Sequence, residues 1–198
     1  MAQPERLDGR RARREQNVEA VVEAMLDLLG EGHLSPGAAM VAERSGVSLR
    51  SVFRYFDDMP ALTELAIARQ MERAAHFFDL IDASGTVEER AAALADHRVR
   101  QYDHLAPYAR AALVRSYEFP AVARGLATRR DALRRQAEAL FAPELDGLDA
   151  PTRVEVLAAL EGVTSLEVID QMIAHRGLST DQVEAALSRA VVAIVATG

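Results

Sequence analysis

Apolar residues recur at three- and four-residue spacing along most of the chain, the mark of amphipathic helices. Val18, Val21, Val22, Met25 and Leu29 trace one face of a first helix that stops near Gly30 and Gly32. Ser35 followed by Pro36 predicts an N-cap with proline at the first helical position, opening a short helix to about Arg44. Ser45-Gly46 breaks that helix, and Ser48 is placed to cap a third whose buried side is predicted to be Val52, Phe53 and Phe56. Asp57-Asp58 ends it, and a longer helix is expected over residues 60–80.

The polar stretch 82–85 reads as a turn and a change of organisation. Thr86-x-x-Glu89 is a capping box that opens a helix to about His104, and Ser179-x-x-Gln182 opens the last helix in the same way. Pro107, Pro120 and Pro151 each stand where a new helix can begin, and residues 143–150 read as a loop. No run alternates with period two over a useful length. The expected fold is all-α, with about nine helices.

The last two helices, about 151–175 and 180–196, are unusually apolar. Val183, Ala186, Leu187, Ala190, Val191, Ile194 and Val195 form one stripe. On the helix before it Val154, Leu157, Leu160, Thr164, Val168 and Met172 share a side, with Val156, Val163, Leu166, Ile169 and Ile173 spread around the rest. A helix apolar nearly all round must be covered on both sides, which predicts a two-fold symmetric homodimer through this pair.

Composition narrows the classes. The 198 residues contain no cysteine, which excludes disulfides, a cysteine-ligated zinc and a cysteine nucleophile. The 23 basic residues, all arginine, stand against 30 acidic ones for a net charge of −7, which excludes a wholly basic coat. The polar, arginine-rich N-terminus is not a signal peptide, and the longest apolar run, residues 190–196, cannot span a bilayer. A soluble, cytoplasmic protein without membrane association is expected. No G-x-S-x-G, G-x-G-x-x-G or Walker sequence occurs, so neither an enzyme nor a cofactor is indicated. His97 and His104 lie about 10 Å apart along a helix axis, too far for one ion, and no metal is expected. Arg124, Arg129, Arg130, Arg134 and Arg135 read as a solvated helix face.

Residues 38–56 carry the functional signal. A helix-turn-helix needs a small residue where its helices cross, supplied by Ala42, and a turn residue tolerant of positive φ, supplied by Gly46. Val41, Val47 and Val52 are spaced to lock the second helix onto the first. The helix opened by Ser48 then faces a major groove with Ser48, Leu49, Arg50, Ser51, Arg54 and Tyr55. Arg50 and Arg54, one turn apart, are candidates for bidentate reading of guanine. Ser35, Ser48 and Tyr55 offer hydroxyls to phosphates, and Arg44 flanks the helix. Residues 1–58 hold 8 Arg against 10 acidic residues, but Arg10, Arg11, Arg13 and Arg14 cluster in a basic arm that reads as a groove-follower or as a solubilising tail.

These residues resemble the tetracycline-repressor (TetR) family of bacterial transcription regulators. The matching features are the apolar helix 18–29, Ser35, Met40-Val41-Ala42, Ser45-Gly46-Val47-Ser48, Val52-Phe53-Arg54-Tyr55-Phe56 and Leu62. The resemblance implies a basic arm at 1–14, a helix-turn-helix domain at 15–62 and a ligand-binding and dimerisation domain at 63–198. It further implies a homodimer on a double-stranded DNA operator, acting as a repressor released by a small-molecule effector. Three positions depart from the family pattern. Arg50 stands where glycine is common, Phe53 replaces a phosphate-contacting tyrosine, and Met59 replaces a lysine. These departures motivate an alternative, a helical small-molecule sensor or interaction module without operator binding. The effector pocket expected within residues 71–172 has as candidates Phe77, Phe78, His97, Gln101, Tyr102, Tyr117, Phe119, Glu161 and Met172.

Overall fold

The computed structural model describes residues 4–197, with the side chains of residue 9 and of residues 11–196. Among these residues every regular element is helical, so the expected all-α class is the one found. The helices are α1 (Pro4–Gly30), α2 (Ala38–Ser45), α3 (Leu49–Tyr55), α4 (Met59–Arg73) and α5 (Val87–Ser116). They continue with α6 (Pro120–Leu140), α7 (Ala142–Leu145), α8 (Ala150–Val163), α9 (Leu166–Asp170) and α10 (Thr180–Thr197). A 3-10 turn, Ala75–Phe78, follows α4, and a π turn, Gln171–His175, follows α9. None is long and apolar enough to cross a membrane.

The chain forms two compact units. The first holds the residues through Arg73 together with Pro107–Val122, and the second holds Ala74–Ala106 and the residues from Ala123 onward. In the first unit α1 packs against α2, α3 and α4. Val21, Val22, Met25 and Leu29 of α1 are fully buried, as are Val41, Leu62 and Ala66. Thr63 lies among them, its hydroxyl satisfied by the Met59 carbonyl at 2.9 Å. Along the flank of this contact, Arg69 pairs with Glu19 at 2.6 Å and Arg73 with Glu23, tying α4 to α1.

The second unit has two apolar clusters with α5 and α10 in both. Ala91 and Leu94 pack with Ala137, Leu140, Phe141, Leu145, Val156, Leu157, Leu160, Val191 and Val195. Ala95, Val99, Tyr102 and Ala106 pack with Ile169, Val183 and Leu187. The four-residue spacing of Val183, Leu187, Val191 and Val195 thus lies within the chain's own core. Arg90 is buried over the Phe141 ring; its Nη groups are held by the Leu140 carbonyl and both carboxylate oxygens of Glu144, while its Nε is buried without an acceptor.

Both capping boxes form. Glu89 accepts from the Thr86 amide at 2.8 Å while its own amide donates to the Thr86 hydroxyl, and Ser179 with Gln182 repeats the exchange. Several boundaries differ from expectation. The first helix starts at Pro4, well ahead of the apolar stripe. Ser35 does not cap α2: Gly37 holds the N-cap position without a side-chain bond, and Ser35 accepts from Arg115 instead. α4 ends at Arg73, and the 3-10 turn replaces its expected last turn. α5 runs through Pro107 to Ser116, because Leu105, Ala106, Ala111 and Ala112 bury the turns on either side of the proline. Residues 143–150 contain part of α7. The stretch 151–175 is interrupted at Thr164-Ser165, where the Thr164 hydroxyl bonds back to the Leu160 carbonyl and Ser165 caps α9.

The Arg90–Glu144 pair generates a prediction. Glu144→Ala leaves Arg90 buried without its counter-charge and should cost about 2–3 kcal/mol in urea unfolding. Arg90 holds the Glu144 carboxyl below its ordinary value of 4.5. That contribution is present in full above this value and is lost as the pH falls through the lower folded pKa. Glu144→Gln should therefore show a shallower loss of stability on acidification.

Candidate nucleic-acid interface

The turn between α2 and α3 is built around Gly46, which caps α2 in the left-handed region at φ 68 and ψ 10. Ser45 closes the turn, its hydroxyl donating to the Ala42 carbonyl and accepting from the Val47 amide, each at 3.3 Å. Val47 and Val52 are buried below it. Ser48 caps α3 as expected, accepting from the Ser51 amide at 3.3 Å. The helix therefore leaves the turn with Val52 inward.

The outward side of α3 consists of Leu49, Arg50, Phe53 and Arg54. Phe53 was expected to be buried, but it is 55% exposed. Val52 and the half-buried Tyr55 and Phe56 define the inward side, and a residue next to Val52 is turned about 100° from it, onto the side of Leu49 and Arg50. The position that lacks a tyrosine hydroxyl thus presents a bare ring to solvent.

Tyr55 is the centre of a polar cluster. Its hydroxyl accepts from Asn17 of α1 at 3.2 Å and from Arg54 at 3.1 Å, and these bonds hold it below the usual phenol range. The guanidinium groups of Arg54 and Arg14 lie over its ring at 5.1 and 5.8 Å. Arg54 also donates to Ser51, whose hydroxyl contacts that of Ser48. Arg14 and Asn17 are thereby added to the set read from the sequence. Arg14 was visible only as part of the basic arm, and nothing local marked Asn17, which is 38 residues from Tyr55.

Other residues are engaged elsewhere. Arg44 makes a double hydrogen bond to Glu31, 2.8 Å in each arm, which holds Glu31 below the usual carboxylate range. Ser35 accepts from Arg115 at 3.0 Å. Arg50 is exposed and has no ion pair or side-chain hydrogen bond among the described residues. Asp58 caps the start of α4 by accepting from the Ala61 amide, beside Met59. In the basic arm Arg11 pairs with Glu15 and Arg13 is exposed, while the Arg10 side chain lies outside the described residues.

Most of the effector candidates belong to the second unit: Phe77, Phe78, His97, Gln101, Tyr102, Glu161 and Met172. Phe77, Gln101 and Tyr102 are buried; His97, Phe78, Glu161 and Met172 are half-buried. His97 Nε2 donates to the Phe77 carbonyl at 2.9 Å, and burial lowers its pKa. Tyr102 donates to Asp170 at 2.7 Å, and Met172 packs on the Tyr102 cluster. Tyr117, 87% exposed, and Phe119 belong to the first unit. Among the described residues no cluster of three or more His, Asp or Glu could hold a metal ion.

No protein-family model matches the sequence, and no curated protein matches it. Solved structures do. A TetR-family transcriptional regulator from Streptomyces coelicolor superposes with a TM-score of 0.73 at 18% identity, covering 92% of this chain and 82% of that one. A transcriptional regulator from Rhodococcus sp. Rha1 gives a TM-score of 0.70 at 19% identity, covering 91% of this chain and 96% of that one. This likeness is one of fold: the chain has the all-α fold of a TetR-family regulator.

Gly46 offers a direct test of the turn. A Cβ there meets nothing within 4 Å, so the penalty is conformational alone. Gly46→Ala should lower stability by about 1–2 kcal/mol in urea unfolding, and Gly46→Asn by less, because asparagine tolerates the left-handed region.

Proposed function

We propose that the chain is a sequence-specific DNA-binding transcriptional regulator acting in the cytoplasm, a repressor released from its operator by a small molecule. One observation carries the DNA side. The left-handed turn at Gly46 leads into a capped helix with Val52 buried and Leu49, Arg50, Phe53 and Arg54 exposed. A helix presented in this way enters a major groove. Arg50, unengaged, grips guanine O6 and N7, while Arg54 must first leave Ser51 and Tyr55 to do the same. Ser48, Ser51, Tyr55 and Arg14 supply phosphate contacts. Ser35 and Arg44 join them only by exchanging Arg115 and Glu31 for phosphate. Residues 15–62 then form the DNA-binding segment, preceded by the basic arm, and residues 63–198 the ligand-binding and dimerisation segment.

The functional unit is a homodimer paired through α8 and α10. In support, α8 leaves Glu155, Ala158, Ala159 and Gly162 exposed along one side, together with Val154 at 66%. Small residues on such a face let a second helix approach closely. Two-fold pairing then sets two α3 helices about 34 Å apart, or a multiple of that, on a pseudo-palindromic operator. The fold shared with the Streptomyces coelicolor TetR-family regulator favours the same reading.

Fluorescence anisotropy with DNA from upstream of the protein's own gene, over a range of salt, tests the proposal against unrelated DNA of equal length. Binding that outlasts moderate salt on the upstream DNA alone is the expected result. Equal, salt-labile binding to both, followed by a genomic selection that enriches nothing, would favour a sensor without operator binding, the reading suggested by the bare Phe53 ring. With an operator in hand, Arg50→Ala should relax one base position by about 1–3 kcal/mol. Ala159→Arg should convert the dimer to monomer in analytical ultracentrifugation.

A further inference from the structure

We propose that the small molecule recognised by the second unit is an apolar monocarboxylate, whose carboxylate pairs with the buried guanidinium of Arg98 on α5. What the ligand does rests on the effector reading above; whether it binds does not.

Arg98 is only 2% exposed. Its Nη1 donates to Gln136 Oε1 at 2.6 Å and its Nη2 to the Leu133 carbonyl at 3.1 Å, while Nε is buried without an acceptor. All these partners are neutral. The Nε of Arg90, two turns earlier on the same helix, is orphaned too, so the two differ in charge compensation alone: Arg90 has the usual arrangement for a buried cation, with Glu144 beside it. No such carboxylate serves Arg98 among the described residues. Asp96 pairs with Arg100, Asp131 with Arg134, Glu138 with Arg153, and Asp170 accepts from Tyr102. Burial alone lowers the Arg98 pKa to about 10, so at neutral pH the group remains a cation. An unpaired charge in an apolar interior is strongly disfavoured, and a fold that keeps one invites an anion from outside.

The surroundings narrow the anion. One turn beyond Arg98, Tyr102 joins the apolar cluster of Ala95, Val99, Ile169, Val183 and Leu187. Its hydroxyl holds Asp170, which leads directly into the π turn at Gln171–His175. Such turns open the helix backbone and recur at functional sites. Burial lowers the His97 pKa, and its Nε2 is already engaged by the Phe77 carbonyl. Arg129 lies on the Gln136 side of α6, two turns away; it is half-buried and has no ion pair among the described residues. A guanidinium without a counter-charge fits a planar carboxylate, and the apolar cluster fits a hydrocarbon body.

Thermal unfolding of the full chain without DNA tests this, using straight-chain monocarboxylates from acetate to dodecanoate and the primary amides of equal length. The longer acids should raise the Tm by about 3 °C or more while the amides do not. Arg98→Met should abolish that shift and, without ligand, unfold at or above the wild-type temperature, since it removes an uncompensated charge. Arg98→Lys should keep part of the shift, and it decides the matter if the methionine variant fails to fold. The proposal is overturned if no acid shifts the Tm, if the amides match the acids, or if Arg98→Met retains the shift. A folded Arg98→Met with a much lower Tm would also overturn it, by making Arg98 a structural strut. Operator binding indifferent to an acid that does bind would instead sink the effector reading and leave the Arg98 site standing.

Discussion

The first unit depends on one contact, the apolar side of α1 against the short helices that follow it. α2 and α3 have eight and seven residues, too few to hold helical structure in water by themselves. They persist because Val41 and Val52 are fully withdrawn from solvent in a unit where Val21, Val22, Met25 and Leu29 of α1 are withdrawn too. Each such side chain contributes roughly 1.5–3 kcal/mol on burial. The Glu19–Arg69 and Glu23–Arg73 pairs on the flank are largely exposed and contribute little by comparison. Burial of α1 decides that the helices form, and the pairs only favour the register in which they do.

Once that contact sets the position of α3, the identity of its outward face follows from helix geometry. A buried Val52 places Arg50, Phe53 and Arg54 outside and turns Tyr55 toward α1, where Asn17 meets it. This face is therefore less cationic than its arginine count suggests. Arg44 is held by Glu31, Arg54 is bound into the Tyr55 cluster, and only Arg50 stands unengaged on the helix. An engaged arginine must lose a partner before it can take up a new anion, so the cost of desolvation and exchange separates the three more than their formal charge does.

The same logic distinguishes the buried arginines of the second unit. Arg90 and Arg98 share a helix and a similar depth, yet one has a carboxylate and the other has only an amide oxygen and a carbonyl. In a low-dielectric interior that difference outweighs any count of hydrogen bonds, because neutral acceptors solvate a guanidinium without cancelling its field. Gln136 is held in turn by the Phe77 and Asp79 carbonyls, and His97 shares the Phe77 carbonyl. The polar groups at the centre of this unit thus form a connected network that carries net positive charge.

Features encoded within a few residues were legible in the sequence. The all-helical class follows from apolar spacing, both capping boxes from paired side chains three residues apart, and the Gly46 turn and the Ser48 cap from local steric and hydrogen-bonding rules. Proximity between distant residues was not legible, because no local pattern encodes it. The partner of Ser35 is 80 residues away, that of Tyr55 is 38 and that of Arg90 is 54. Phe53 departs from expectation for a related reason: on a seven-residue helix the inward direction is set by what it packs against, not by which of its side chains are apolar. Pro107 reads as a helix boundary alone, yet packing on both sides carries the helix through it. Sequence by itself determined which segments become helices and where several of them start. Tertiary structure decided which charges are neutralised and which are not, since that depends on distance and burial among residues the chain brings together only on folding.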